Sequence, residues 1–273
     1  MEFSEHEGSQ TKIAERYELV GKPIHELNGK GIVFKAHDEK LGRDIALKKL
    51  DSDAEAKLLG SKRHRNIVEV YDYFEEGEDK WMVMEFLEKE NNLEHRNRYG
   101  PPFSPEELTD IAQQTSDGLA FLHDEEKSSG MTKQSVIHRD IKPFNMFYID
   151  GTLKIIDIAS QDKRVGTNGY APNETYKGLP QDERSDSFSL AATMYDLMRK
   201  SRVYDYKSDF DVRENVFTKI RQEELLRVTA SMKINSREEL IRVFHKGLST
   251  NPDERYQTPK EFANAFRKAM IGE

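Results

Sequence analysis

The sequence predicts an α+β fold in which strands come first and helices follow, and three observations carry that expectation. Residues Tyr17 to Leu50 alternate and turn like three antiparallel strands. Further on, Ser104-Pro105-Glu106-Glu107 and Thr258-Pro259-Lys260-Glu261 each set a capping hydroxyl, a proline and a glutamate at the spacing of a capping box. The first opens a helix running to His123 and the second opens the last helix of the chain. Between them, Ile137 and Met146-Phe147-Tyr148-Ile149 are short apolar segments that bracket a polar loop. Strands followed by helices, rather than alternating with them, is the α+β pattern.

At 273 residues the chain can bury most of its apolar surface. Charged residues make up 34% and the net charge is −8, which argues against a nucleic-acid binder with a basic face. The densest basic run, Lys62-Arg63-His64-Arg65, reads as the solvated end of a helix. The absence of cysteine excludes a disulfide frame or a cysteine metal site. No apolar run has the length of a membrane span, and the N-terminus is polar rather than signal-like. Residues 1–16 read as a flexible lead-in. The expectation is a cytoplasmic chain, or a soluble piece of a longer membrane-anchored parent.

The polar loop is the most informative stretch. His138-Arg139-Asp140-Ile141-Lys142-Pro143-Phe144-Asn145 gathers an aspartate, a lysine and an asparagine on a loop between apolar strands, where rigid elements can present reactive groups. Twelve residues after Asn145, the strand Leu153-Lys154-Ile155-Ile156 ends in Asp157-Ile158-Ala159. A polar turn could hold such residues for no chemical reason, and a lone aspartate at a strand end is weak evidence. Phosphoryl transfer, however, asks a protein for positioners and charge neutralisers of these types.

The loop resembles the catalytic loop of eukaryotic-type (Hanks-type) serine/threonine protein kinases, in tone the bacterial ones, and the resemblance runs from Tyr17 to Met270. It implies a two-lobed kinase fold over 17–273. A small antiparallel-sheet N-lobe (17–84) with one short regulatory helix is followed by a hinge (85–90) and a larger, mainly helical C-lobe (91–270). It also implies roles. Asp140 would accept or orient the proton of a substrate hydroxyl, and Lys142 would lie against the transferring phosphate. Asn145 and Asp157 would hold Mg²⁺, or Mn²⁺ in its place. Arg139 would reach the activation segment, and His138 would pack inward. In the Asp-Phe-Gly position, Ile158 keeps an apolar side chain, whereas Ala159 gives up the freedom of glycine.

Taken in chain order, the other elements follow the same resemblance. Aligned on Gly-x-Gly-x-x-Gly-x-Val ending at Val33, the phosphate-covering loop has Glu26, Asn28 and Gly31, with an extra Gly29, so it departs from the pattern. In Asp44-Ile45-Ala46-Leu47-Lys48, Ala46 would cover the adenine of ATP and Lys48 would contact its phosphates. Glu55 would pair with Lys48 on a shortened helix started by Asp51-Ser52-Asp53, only seven residues on. The strand Trp81-Met82-Val83-Met84 leads into the hinge. Met84 would guard the back pocket, the backbones of Glu85 and Leu87 would bond the adenine, and Phe147 would form part of the floor.

Asp124 to Ser135 is a polar insert in which Ser128, Ser129 and Thr132 could be modified, although a plain surface loop is the simpler reading. Thr167, in Gly166-Thr167, would hydrogen-bond near Asp140 and favour a hydroxyl substrate. Glu174 would pair with Arg255, and Asp186 would anchor the loop backbone. Only eighteen residues run from Asp157 to Glu174, and between Ala159 and Gly166 the sole hydroxyl is Ser160. Catalysis is therefore expected not to need phosphorylation of this segment.

The implied function is transfer of the ATP γ-phosphate to serine or threonine of a protein substrate, with no nucleic acid involved. Two alternatives stay open: a pseudokinase that binds nucleotide or scaffolds, suggested by Glu26, Asn28 and Ala159, and a small-molecule kinase of the same fold. The sequence is silent on oligomeric state.

Overall fold

Asp44-Ile45-Ala46-Leu47-Lys48 points its side chains alternately to the two sides of a strand, and the computed structural model of the protein builds a sheet on that rule. The structure describes residues 12–27, 31–60, 63–124, 127–128, 131–132, 136–158, 166–199, 219–230 and 232–272. They divide into two units, Met1–Arg63 with Val68–Glu88, and His64–Ile67 with Lys89–Glu273.

The N-terminal unit is an antiparallel sheet of β1 (Lys12–Ile13), β2 (Tyr17–Leu19), β3 (His25–Leu27), β4 (Gly31–Asp38), β5 (Arg43–Leu50), β6 (Val70–Glu76) and β7 (Asp79–Glu85). The order is β1-β2-β4-β5-β7-β6, with β3 also on β4. One face buries Tyr17, Phe34, Ile45, Leu47, Trp81 and Val83 as a core. The pleat sends Ala46, Lys48, Met82 and Met84 to the other face, where the register pairs Ala46 with Met84 and Lys48 with Met82. Helix α1 (Ala54–Gly60) starts straight after Asp53, whose carbonyl accepts the Lys57 N–H at 2.9 Å.

Three details differ from expectation. The first of the three expected strands is broken into β2 and β3, which share β4 as partner. The ladder lapses between Val20 N–H→Lys35 O and Ile24 N–H→Val33 O, and Pro23, in the gap, has no N–H to give. Lys12 and Ile13, inside the expected lead-in, already pair with Glu18 and Tyr17. Of the basic run, Lys62 lies outside the described residues, while Arg63, His64 and Arg65 are not helical, and His64 stacks on Phe121 with ring centres 4.9 Å apart.

The C-terminal unit contains α2 (Leu93–Tyr99), α3 (Pro105–His123), α4 (Asn173–Lys177), α5 (Glu183–Arg199), α6 (Lys219–Val228), α7 (Arg237–Gly247) and α8 (Pro259–Ile271). It also has two hairpins, β8–β9 (Lys127–Ser128, Met131–Thr132) within the polar insert and β10–β11 (Met146–Ile149, Thr152–Ile155). Helix α5 runs through the middle, buried from Ser185 to Met198, and the hydroxyls of Ser187, Ser189 and Thr193 turn back onto their own helix. Tyr195 of α5 and Phe262 and Phe266 of α8 all pack on Phe244 of α7 to close the core. Ser104 and Glu107 form the full capping box at α3. At α8 only half of the box forms. Thr258 accepts from Glu261 N–H, but the Glu261 carboxylate takes the N–H of Gln257 rather than that of Thr258.

Candidate active site

A carboxylate on the central helix holds the start of the loop 136–145. Asp186 accepts the N–H of His138 on Oδ2 and the N–H of Arg139 on Oδ1, both at 2.8 Å. This clamp fixes Arg139 in the left-handed region, at φ +70°, a conformation that persists only when its surroundings impose it. A third bond to Asp186 comes from His123 Nε2 at 2.8 Å, at the end of α3. Burial alone would raise the Asp186 carboxyl, but the hydrogen bond and charge of His123 and the neighbouring loop hold it below the usual carboxylate range. His123 escaped the sequence reading. It lies 63 residues from its partner, and no local pattern marks it.

His138 is fully buried, as expected. Its Nδ1 accepts the Asp140 N–H (3.3 Å), so Nε2 carries the proton and donates to Ile156 O (3.2 Å). Burial pushes its pKa down, which keeps the ring in this neutral form. One ring thereby ties the residue before Asp157 to the amide of Asp140.

Asp140 is 2% exposed and collects donors on both oxygens. Thr167 Oγ1 donates to Oδ1 at 2.6 Å, while Lys142 Nζ (2.9 Å) and Asn145 Nδ2 (3.2 Å) donate to Oδ2. Lys142 Nζ also donates to Thr167 Oγ1 at 2.7 Å, which closes a ring of three groups. Three donors facing one carboxyl define an ionised acceptor. Thr167 is set by Gly166. A Cβ there would lie 2.6 Å from Ala171 Cβ and 3.0 Å from Thr175 Cγ2, so only glycine allows the approach. Asn92, another residue the sequence reading passed over, caps α2 through Oδ1 and donates Nδ2 to Phe144 O at 2.7 Å. Its signal was legible as a cap before Leu93.

Asn145 and Asp157 stand at the open end of the β10–β11 hairpin. Ile156 N–H bonds to Asn145 O at 3.0 Å, and Asp157 follows in the left-handed region at φ +60°. Asn145 donates Nδ2 to Asp140 O at 2.8 Å, which turns Oδ1 the other way, buried and without a hydrogen-bond partner among the described residues. A buried orphan amide oxygen is a hard donor suited to Mg²⁺. Among the described residues no cluster of three or more His, Cys, Asp or Glu forms a metal cage. Mg²⁺ does not need one, since it is often held by one or two side chains plus substrate phosphates. The residues fit the ion.

Glu174 and Arg255 form a buried, two-pronged pair at 2.6 and 2.9 Å, supported by Ser185 Oγ at 2.8 Å. Ile158 is buried, while Ala159 and Ser160 lie outside the described residues.

In the N-terminal unit, Lys48 Nζ bonds both oxygens of Glu55, at 2.9 and 2.7 Å, with Lys48 only 4% exposed. Gly31 opens β4, and Val33 pairs in register with Lys48, which puts Val33 on the same face as Ala46 and Met84. The Glu85 amide is committed to Glu69 O at 3.0 Å, so it is not the donor for an adenine. Leu87 is half-buried in the segment after β7, as is Phe147 in β10 of the other unit. Glu26 lies in β3 opposite Ile32, and Asn28 and Gly29 fall outside the described residues, as does Ser129.

A sheet unit with a closed lysine–glutamate pair and a helical unit with this aspartate-centred loop together define a kinase-type domain. The chain belongs to the protein kinase domain family, whose family model matches residues 20–266. It is similar to the Aurora kinase of Schizosaccharomyces pombe, at 30% identity over 66% of this chain and 53% of that one. It is also similar to the probable serine/threonine-protein kinase PknB of Corynebacterium glutamicum (28%, over 92% and 42%). The serine/threonine-protein kinase PknB of Mycobacterium leprae is a further relative (26%, over 91% and 42%). The chain thus spans about half or less of these relatives' lengths. Among solved structures, the Mycobacterium tuberculosis PknI kinase domain shares the fold with a TM-score of 0.67 at 21% identity, covering 96% of this chain and 98% of that one.

Proposed function

We propose that the chain transfers the γ-phosphate of ATP to serine or threonine hydroxyls of a protein substrate, with Mg²⁺ or Mn²⁺. The observation that carries this reading is the convergence of Lys142, Asn145 and Thr167 on Asp140 at 2.6–3.2 Å. Asp140 would orient an entering hydroxyl and take its proton, since its carboxylate is already arranged as an acceptor. Lys142 would hold a cation against the moving phosphate, and Thr167 would keep both residues in place. Asn145 Oδ1 and Asp157 would hold the metal, which would neutralise phosphate charge as it shifts to the leaving group. Lys48, braced by Glu55, would take the inner phosphates. Ala46, Val33, Met84 and Gly31 would face the nucleotide, together with Phe147 and the backbones of Glu85 and Leu87. The closed Lys48–Glu55 pair and the complete Asp140 set lend nothing to a pseudokinase or a small-molecule kinase.

Among the described residues no helix is long and apolar enough to cross a membrane. The proposed setting is the cytoplasm, where ATP is available. Transfer from labelled ATP to the protein itself and to a basic protein tests the reading, with Asp140→Asn as control. Acid-stable phosphoserine or phosphothreonine made only by the wild type is the expected result. No transfer under any metal would overturn it. Ser160→Ala should remain active in protein never exposed to another kinase.

A further inference from the structure

Among the described residues, β11 has a paired strand on one edge only, and side-chain amides seal the other. Leu153 donates its N–H to Gln114 Oε1 (3.0 Å), and its carbonyl accepts from Asn66 Nδ2 (3.0 Å). Ile155 donates to the Asn66 carbonyl at 2.9 Å, and the two amides join each other through Asn66 Nδ2→Gln114 Oε1 at 2.8 Å. The other end of Gln114 donates Nε2 to Gly151 O (2.8 Å) and to Asp110 Oδ2 (2.7 Å). All four hydrogen-bonding positions of this amide, two accepting and two donating, are therefore used. Asp110 Oδ2 also takes the Tyr148 hydroxyl at 2.6 Å. Burial and that carboxylate push the phenol up to about 12, so it stays a donor.

The grip is on the closed end of the hairpin, where Asp150 (φ +46°) and Gly151 (φ +77°) make a two-residue turn with both residues left-handed. The chemistry is at the open end. Asp157 lies four residues on from Leu153, about 13 Å of extended chain. A shift of one residue in β11 would break every bond to the two amides and turn each side chain to the wrong face.

We propose that Gln114 is a positioning residue for the metal-holding pair, fixing the register and tilt of the β10–β11 hairpin and so the placement of Asp157 against Asn145. The proposal rests on the kinase reading above. Groups that hold a metal-binding residue in place from behind change metal affinity without touching the ion.

The test is calorimetric titration of the full chain with ADP, once in EDTA and once in Mg²⁺, so that the gain in affinity due to the metal is read without turnover. Gln114→Leu, which keeps much of the volume and none of the bonds, should lose that gain roughly ten- to hundredfold while its affinity in EDTA stays as in the wild type. Gln114→Glu keeps the two accepted bonds but sets an oxygen against Asp110 Oδ2 and the Gly151 carbonyl, so it should lose the gain as well. A lower melting temperature with the metal gain intact in both variants would overturn the proposal and leave Gln114 a purely stabilising residue. If Gln114→Leu fails to fold, Gln114→Glu decides, with a reduced gain in support and an unchanged gain against. A wild-type protein that binds ADP with no metal gain would overturn the metal assignment itself, and this proposal with it.

Discussion

Removing Arg255 should cost far more than removing the charge it faces. Glu174 is 5% exposed and Arg255 1%, and the pair is joined at 2.6 and 2.9 Å. Arg255→Met leaves a buried carboxylate with the Ser185 hydroxyl as its remaining side-chain donor. Breaking a buried pair in this way costs about 3–5 kcal/mol. Glu174→Gln keeps the volume, and Arg255 still donates to the carbonyls of Ser249 (2.6 Å) and Thr250 (3.2 Å). Its cost should be about 1–3 kcal/mol. Each kcal/mol moves the midpoint of a chain of this size by about 2–4 °C. Arg255→Met should therefore melt roughly 6–20 °C below wild type, and Glu174→Gln clearly less, by circular dichroism at neutral pH. Burial alone would raise the Glu174 carboxyl, but the bonds from Arg255 hold it below its ordinary value of 4.5. A depressed folded-state value gives stability that is present above the unfolded-state value and lost as pH falls through the folded one. The advantage of wild type over Glu174→Gln should accordingly fade below that ordinary value. Equal melting of Arg255→Met and wild type, or a larger loss in Glu174→Gln, would refute the reasoning.

Other consequences are as direct. His123→Phe removes a donor to Asp186 and loosens the clamp on His138 and Arg139. Steady-state kinetics should show kcat down about ten- to hundredfold with little change in KM for ATP. Gly166→Ala places a methyl 2.6 Å from Ala171 Cβ, so Thr167 must move. Overpacking of about 1–3 kcal/mol in a denaturant titration, together with a loss of turnover, is expected. Lys48→Met leaves Glu55 without its 2.7 Å partner and should weaken ADP binding in a calorimetric titration.

The loop from His138 to Asn145 was legible because its chemistry is contiguous. Lys48 and Glu55 were legible through the family resemblance of short local segments, with Glu55 placed by its distance from His64. Glu174 and Arg255 were found only through the family resemblance, since nothing local joins residues 81 apart. What stayed hidden was set by tertiary contact. The break between β2 and β3 depends on how β4 receives them, and the basic run took its place from the packing of His64 on Phe121. His123 and Gln114 are unremarkable helix residues in sequence, and they gain their roles only when α5 and β11 arrive beside α3. The Thr258 box formed by half because the Glu261 carboxylate takes the Gln257 N–H instead.

The Lys48–Glu55 pair is joined across a short tether. From the end of β5 at Leu50 to the start of α1 at Ala54 the chain takes four steps, at most about 14 Å. Protein kinases can be switched by swinging the helix that carries this glutamate away from the lysine. Here that helix hangs almost directly from the strand that carries the lysine. A carboxylate so leashed meets its ammonium again after any local fraying, because closing so small a loop costs little entropy. The geometry keeps the two partners of this contact neighbours in the chain as well as in space.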